Sequence, residues 1–163
     1  MSLHDPLFPE HFTRSNPGAA TVADIRTLDG FQSLTIMMLR DWFDGPAGRT
    51  RVEQVFEGAL GQGAGAAGLD AWDEMMTVLS NGVRRPVMRH SLTCQCVGAD
   101  EAVIAQVIAL AARGEREDAM LILSLLVSGE RLLPAIQSAE RAGRTLMRIT
   151  LLDRRAVAPN RLH

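Results

Sequence analysis

Two nearly uninterrupted apolar segments in the second half of the chain constrain its fold more than any other feature. They run from Ala102 to Ala112 and from Ala119 to Val127, each with one polar break, and Gly114 lies between them. Both are much shorter than the roughly 20 residues that span a bilayer, so we expect neither to cross a membrane. A helix that is apolar on every side is buried in a protein core. The two segments therefore predict a central helical hairpin at about residues 100–128.

Before the hairpin, apolar residues recur at steps of three and four residues, which is typical of amphipathic helices. We expect the first such helix to end near Phe43, the second to start at a capping box headed by Thr50, and the third to cover about Leu69–Ser80. The glycine-rich stretch Gly61–Gly68 is expected to be a flexible connection, because glycine weakens regular structure. Three amphipathic helices are therefore predicted to precede the hairpin.

After the hairpin, one more helix is expected to start near Gly129 or Leu133, with Pro134 in its first turn. Gly143 is expected to weaken or end this helix, because glycine is a poor helix former. Residues 145–152 are then open to two predictions, a last helical turn or a short strand.

Together these segments predict an all-α fold, a compact globule of about six or seven short helices around the central hairpin. Residues 1–20 contain several prolines and are expected to be an extended or poorly ordered arm. Residues 153–163 are expected to be a frayed tail. The single helical domain is therefore predicted to cover residues 21–152.

The composition excludes several classes of chemistry. All 17 basic side chains are arginines, so mechanisms that need a lysine, such as Schiff-base formation or phosphate binding by a P-loop, are excluded. The sequence also contains neither the GxSxG motif of serine hydrolases nor the HExxH motif of zinc proteases. These observations favour a protein that is not an enzyme, and they leave catalysis only to a histidine or a bound metal.

Charge is distributed unevenly along the chain. Residues 1–83 carry five arginines and eleven acidic residues, a net charge of −6. Residues 84–163 carry twelve arginines and eight acidic residues, a net charge of +4, so the whole chain carries −2. The basic second half allows a polyanionic partner but does not require one.

The strongest candidate for a chemical site contains both cysteines of the chain. His90, Cys94 and Cys96 are spaced as H-x3-C-x-C, so a helix through them would place His90 and Cys94 on one face. Imidazole and thiolate are ligands that zinc prefers, and Asp100 or Glu101 could supply a fourth ligand. The pattern therefore indicates a candidate zinc site.

Two other interpretations of these residues remain open. The cysteines could be small buried hydrophobic residues, with His90 a polar surface residue. Alternatively, Cys94 and Cys96 could be redox-active, because the neighbouring arginines would favour a thiolate. A disulfide across so short a spacing would be strained and easily reduced.

A second candidate site is basic. Gln137, Arg141, Arg144 and Arg148 recur at steps of four, three and four residues, so they share one face if the last helix continues past Gly143. Such a stripe of arginines could bind the phosphates of a nucleic acid. The alternative is a solvated face whose cations complement the C-terminal end of the helix dipole.

The whole sequence favours an interaction or regulatory protein that acts through apolar helix surfaces. Its eight methionines suit adaptable apolar contacts, and the expected partner is another protein or a second copy of the same chain. Asp5 and the early prolines interrupt any secretory signal, so we expect a cytoplasmic protein. A zinc-binding or thiol-redox protein and a nucleic-acid-binding protein are the alternatives.

Overall fold

In the computed structural model, which describes residues 16–157, six α-helices pack together with a small two-stranded antiparallel sheet. The predicted all-α fold class is confirmed, with the sheet as an addition. None of the helices between residues 16 and 157 is both long and apolar enough to cross a membrane. Most of the predicted N-terminal arm and the end of the predicted tail lie outside the described residues. The elements in chain order are β1 (Thr21–Asp24), α1 (Gly30–Phe43), α2 (Pro46–Leu60), α3 (Gln62–Asn81), β2 (Cys96–Gly98), α4 (Ala99–Ala112), α5 (Arg116–Leu123) and α6 (Gly129–Val157).

The main core is built from one side of most helices. Leu39 of α1, Phe56 of α2, Trp72 of α3, Ile108 of α4 and Leu146 of α6 are all fully buried and belong to one apolar cluster. The helix α4 is the most central, since buried residues lie all around it. The prediction that residues 100–113 form a buried helix is therefore confirmed.

The starts of α1 and α2 follow local chemistry. The Asp29 side chain accepts a hydrogen bond from the backbone N–H of Gln32 at 2.8 Å and caps α1. Pro46 occupies the first turn of α2, where its missing N–H costs little. The predicted start at Thr50 was wrong, because this residue lies one turn inside α2. Its hydroxyl donates to the backbone oxygen of Pro46 at 3.1 Å instead of capping the helix.

The glycine-rich stretch between α2 and the predicted third helix is helical, so the predicted flexible connection was wrong. Within this stretch only Gly61, with a φ of 77°, departs from helical conformation, and α3 begins at the next residue. A Cβ atom on Gly68 would lie 2.5 Å from Cγ2 of Thr145 and 2.8 Å from Cδ1 of Phe56. Glycine is needed here because α3 packs closely against α2 and α6, and this packing outweighs its poor helix propensity.

The last helix, α6, is a single element, so the prediction that Gly143 weakens or ends it was wrong. Residues 145–152 are helical, and the helix continues to Val157 in the segment predicted to be the tail. A Cβ atom on Gly143 would lie 2.6 Å from the backbone oxygen of Ile108 in α4. Gly143 thus permits a close helix crossing, and Pro134 lies in the second turn of α6 rather than the first.

The second arm of the predicted hairpin is shorter and more exposed than its composition indicates. α5 ends at Leu123, which is fully buried, but Leu121 and Leu125 are 71% and 73% exposed. The prediction that this segment is buried on every side was therefore wrong. α5 packs against α4 and α6 and is open to solvent elsewhere, so only part of its apolar surface reaches the core.

The sheet joins the start of the described chain to the stretch before α4. Thr21 lies opposite Gly98 and Asp24 opposite Cys96 in the antiparallel pair of β1 and β2. Between α3 and β2, residues 84–95 form no helix, so the helical face proposed for the cysteines does not exist. The sheet instead holds this irregular connection beside the N-terminal end of α4.

Candidate functional site

Arg40 on α1 is the buried centre of the candidate site. Its side chain is 1% exposed and pairs with Glu101 at the start of α4 through two hydrogen bonds of 2.7 and 2.9 Å. Its remaining N–H groups donate to the backbone oxygens of Ser91, Cys94 and Cys96, at 3.2, 2.6 and 2.6 Å. All five guanidinium donors are therefore used. One arginine thus holds the irregular connection against α1 and α4.

The Glu101 carboxylate is saturated in the same way. Besides the two bonds from Arg40, it accepts hydrogen bonds from the backbone N–H groups of His90 at 3.2 Å and Gly98 at 2.8 Å. Its two oxygens therefore accept four bonds, which is about the full capacity of a carboxylate. In this arrangement Glu101 has no oxygen left for a metal ion.

Asp100, the other candidate for a fourth metal ligand, is bound by Arg85. The guanidinium donates to both carboxylate oxygens at 2.6 and 2.7 Å, and the backbone N–H of Met88 donates at 2.9 Å. Burial acts to raise the pKa of Asp100, but these hydrogen bonds and the charge of Arg85 outweigh it. The pKa of Asp100 therefore lies below its ordinary value of 3.8.

The three residues of the predicted zinc pattern lie close together, although not on a helix. Cys94 Sγ lies 3.8 Å from Nδ1 of His90, and the backbone N–H of Cys96 donates to the same sulfur at 3.3 Å. Both thiols are free and half-buried. Within residues 16–157, no group of three or more histidine, cysteine or acidic side chains is arranged to hold a metal ion. The zinc site stays a prediction. What the structure shows is that the side chains of His90 and Cys94 are in contact.

The two cysteines differ in their surroundings. A hydrogen bond with Cys94 is the largest cause that raises the pKa of Cys96 above its ordinary value of 9.0. The charge of Cys94, burial and Asp24 act in the same direction, and a hydrogen bond with Thr21 opposes them. Cys96 is therefore a protonated thiol at neutral pH.

The predicted arginine stripe, Arg141, Arg144 and Arg148, lies on one continuous helix because α6 does not end at Gly143. All three side chains are exposed. Arg141 forms an ion pair with Glu74 on α3. Arg144 and Arg148 have no acidic partner among the residues from 16 to 157, so their charges are available to an anion.

Two surfaces of the described domain each carry a pair of exposed leucines, and Leu133 near the start of α6 is exposed apart from them. The first, at the end of α5, contains Leu121 and Leu125. The second lies near the end of α6, where Leu151 and Leu152 are 51% and 39% exposed. Every residue from 151 to 156 is exposed, so this part of α6 has no face buried in the domain.

The sequence interpretation missed Arg40, the residue that organises the site. The stripe of apolar residues that predicted the first helix does not contain it. The signal that could have found it is Ile36, one turn earlier, which lies outside that stripe and is fully buried. An apolar residue there indicates that a second side of the helix is covered, and a charge on a covered side needs a buried partner.

Comparisons of this chain with models of protein families, with curated proteins and with solved structures found no match. What the protein binds therefore has to be inferred from its own surfaces.

Proposed function

We propose that this protein is an interaction protein that binds a second copy of itself through the exposed leucines in α5 and just after its end. The observation that carries the proposal is the exposure of Leu121 and Leu125, 71% and 73%. Burying a leucine side chain that is otherwise in water is worth roughly 1.5–3 kcal/mol. Two leucines left in solvent four residues apart in the sequence are therefore a surface that a partner would stabilise by covering.

Acidic residues border these leucines. Glu117 and Asp118 in the first turn of α5 are exposed, and neither forms an ion pair within the described part of the chain. The four residues Glu117, Asp118, Leu121 and Leu125 are named the acidic leucine surface. A complementary partner carries exposed apolar side chains beside positive charges.

The end of α6 offers that chemistry. Leu151 and Leu152 are exposed, and Arg154 and Arg155 follow them with no acidic partner between residues 16 and 157. These four residues are named the basic leucine surface. Because the two surfaces are complementary and belong to one chain, a second copy supplies the partner of each. A two-fold dimer would form both contacts at once.

A charge exchange tests this pairing. One variant carries Glu117→Arg and Asp118→Arg, and the other carries Arg154→Glu and Arg155→Glu. Sedimentation at several concentrations should show dimers of the native protein and weaker association of each variant alone, because like charges then meet. An equal mixture of the two variants should associate again, since each reversed surface finds its opposite on the other chain.

The matched control reverses two exposed acidic residues of α2, with Glu53→Arg and Glu57→Arg. This variant should associate like the native protein. A native protein that stays monomeric at every concentration, or single-surface variants that associate as strongly as the control, would contradict the proposed pairing. A mixture that fails to associate when both variants are folded would contradict it as well.

A second candidate function, nucleic-acid binding, is favoured by the continuity of α6. The helix places Arg144 and Arg148 one turn apart on an exposed side, with no acidic partner in the described chain. Cations placed in this way bind phosphates and release counterions, so the affinity depends on salt. Arg141 would have to leave Glu74 to join them.

Fluorescence anisotropy with labelled single-stranded and duplex DNA of random sequence, at several salt concentrations, tests this function. The logarithm of the affinity should fall linearly with the logarithm of the salt concentration. Replacing Arg144 and Arg148 by alanine should reduce the slope by about 2, roughly one for each phosphate contact. Arg131→Ala, on the same helix, is the control. Absence of binding at low salt, or an unchanged slope, would exclude the arginine stripe as a nucleic-acid site.

A further inference from the structure

The ring of His90 is held in one tautomer. Its Nε2 atom lies 3.2 Å from the backbone oxygen of Ala19. A carbonyl oxygen only accepts hydrogen bonds, so Nε2 carries the hydrogen and donates it. A Cβ atom on Gly98 would lie 3.1 Å from Cδ2 of the ring, which shows how closely β2 packs against it. In the neutral imidazole the other nitrogen, Nδ1, is therefore an acceptor.

That acceptor faces Cys94. The 3.8 Å between Sγ and Nδ1 is within reach of a hydrogen bond from the thiol, and the backbone N–H of Cys96 donates to the same sulfur at 3.3 Å. We propose that Cys94, paired with His90, is a nucleophilic thiol that is modified reversibly by small anionic disulfides. After the proton moves to Nδ1, the thiolate keeps two donors, the imidazolium and the backbone N–H. This site is independent of the proposed dimer.

The step is a thiol–disulfide exchange. Nδ1 of His90 takes the proton of Cys94, and the thiolate attacks one sulfur of the disulfide. The sulfur–sulfur bond of the reagent breaks while a new one forms to Cys94. The other sulfur leaves with the bonding electron pair and takes the proton back from Nδ1. Cys94 is oxidised and the leaving half is reduced, so the disulfide itself is the oxidant.

Cys96 is expected to take little part in this exchange. The pKa of Cys96 is raised, first by its hydrogen bond with Cys94, and among residues 16–157 its sulfur has no histidine nitrogen within hydrogen-bond distance, whereas Cys94 faces Nδ1 of His90. A disulfide between the two cysteines would close a very tight ring across one intervening residue and would be strained. The mixed disulfide on Cys94 is therefore expected to persist until an external thiol attacks it.

An open groove of about 470 Å³ is lined by His90 and ends at Thr93, the residue before Cys94, so a small disulfide held in it would approach Cys94 from the side of His90. Arg89 lines the groove and has no acidic partner among the described residues. Its guanidinium donates to the backbone oxygen of Phe43 at 3.2 Å and lies 4.8 Å from the centre of the Phe43 ring. Asp44, the acidic residue of the groove, already pairs with Arg51 at 2.7 Å. A carboxylate of the disulfide would complete the bonding of Arg89, so the groove favours an anionic reagent.

The proposal is tested by the rate at which the full-length protein forms mixed disulfides. Mass spectrometry follows this rate in the presence of a chelator. Glutathione disulfide is the anionic probe and cystamine the cationic one. Peptide mapping should place the mixed disulfide of the native protein on Cys94 and not on Cys96, and Cys94→Ser should react at least about tenfold more slowly than the native protein. His90→Asn, which removes the base, should slow the reaction by about tenfold or more.

Two references keep this test decisive. Thermal melting establishes that each variant is folded, and the denatured chain gives the rate of cysteines without a base. A native rate no faster than the denatured rate would overturn the proposal, even if His90→Asn and the alternative His90→Gln fail to fold. An unchanged rate in a folded His90 variant would overturn it too.

The charge preference has its own outcome. Glutathione disulfide should react faster than cystamine with the native protein, and Arg89→Glu should reverse that order because the groove then repels carboxylates. Arg131→Glu, far along the chain on α6, is the control for net charge. Equal rates with the two probes, unaltered by Arg89→Glu, would overturn the assignment of an anionic reagent.

Discussion

At the scale of the single residue, Arg40 illustrates when a buried charge is tolerated. A buried ion pair offsets its desolvation only if its geometry is good and every donor and acceptor is used. Arg40 meets this condition through two bonds to Glu101 and three to backbone oxygens. The pair therefore does more than join α1 to α4, since Arg40 also holds the backbone from Ser91 to Cys96, which contains both cysteines.

We expect Arg40→Met to lower the free energy of unfolding by about 3–5 kcal/mol, because the Glu101 carboxylate would remain buried without its cation. Urea denaturation measures this change. Arg51→Met is the matched control, since its side chain is 42% exposed in its pairs with Asp41 and Asp44. An exposed pair is worth roughly 0–1 kcal/mol. Similar losses in the two variants would show that Arg40 is not the structural centre of the site.

Asp100 gives a prediction about pH. Its pKa in the folded protein lies below its ordinary value of 3.8, so as the pH falls the unfolded chain takes up the proton first. The stabilisation that ionised Asp100 provides is therefore complete at pH values above its ordinary pKa of 3.8. It is lost as the pH falls through the lower pKa of the folded protein. Asp100→Asn should reduce the loss of stability between about pH 6 and about pH 3, measured by urea denaturation. Asp70→Asn, at an exposed position, should leave this acid-induced loss of stability unchanged. Equal acid sensitivity of the two variants would contradict this account.

At the scale of the element, two glycines show that helix propensity is secondary to packing. Gly68 and Gly143 lie inside α3 and α6, where glycine costs roughly 1 kcal/mol relative to alanine. Both sit where another helix comes too close for a Cβ atom. The close crossings keep these helices continuous, although each glycine alone predicts an interruption.

Gly143→Ala should lower the free energy of unfolding by about 1–3 kcal/mol, the usual cost of overpacking. The added Cβ would lie 2.6 Å from the backbone oxygen of Ile108, which cannot move without shifting α4. Gly58→Ala in α2 is the control, because nothing lies within 4 Å of the added atom. That variant should be as stable as the native protein or gain up to about 1 kcal/mol. A stabilised Gly143→Ala would show that α4 and α6 are not in close contact.

At the scale of the whole molecule, the position of α5 decides which of its leucines belong to the core. Leu123 is fully buried between its neighbours, whereas Leu121 and Leu125 face solvent. The composition of the segment gives all three the same hydrophobicity. The surface proposed for self-association therefore arises from where α5 lies in the assembled domain.

Leu123→Ala should lower the free energy of unfolding by about 2–5 kcal/mol, the range for removing a buried leucine side chain. Leu125→Ala, measured in dilute protein so that association does not contribute, should change it by about 0.5 kcal/mol or less. Denaturant unfolding followed by circular dichroism measures both. If the two variants lost equal stability, the orientation of α5 would be wrong.

The sequence by itself determined the all-α class, the approximate helical segments and the buried helix at the centre. These follow from the spacing of apolar residues, which is a local property of the chain. Such features need no knowledge of what lies opposite.

Only the tertiary structure decided the rest, because each remaining feature depends on a partner far away in sequence. The pairing of Arg40 with Glu101 and the tautomer of His90, set by Ala19, both join distant segments. The same holds for the continuity of α6 through Gly143, which depends on α4. The free energy of a charge, a glycine or a leucine is set by the atoms that surround it after folding, and sequence spacing carries no information about those atoms.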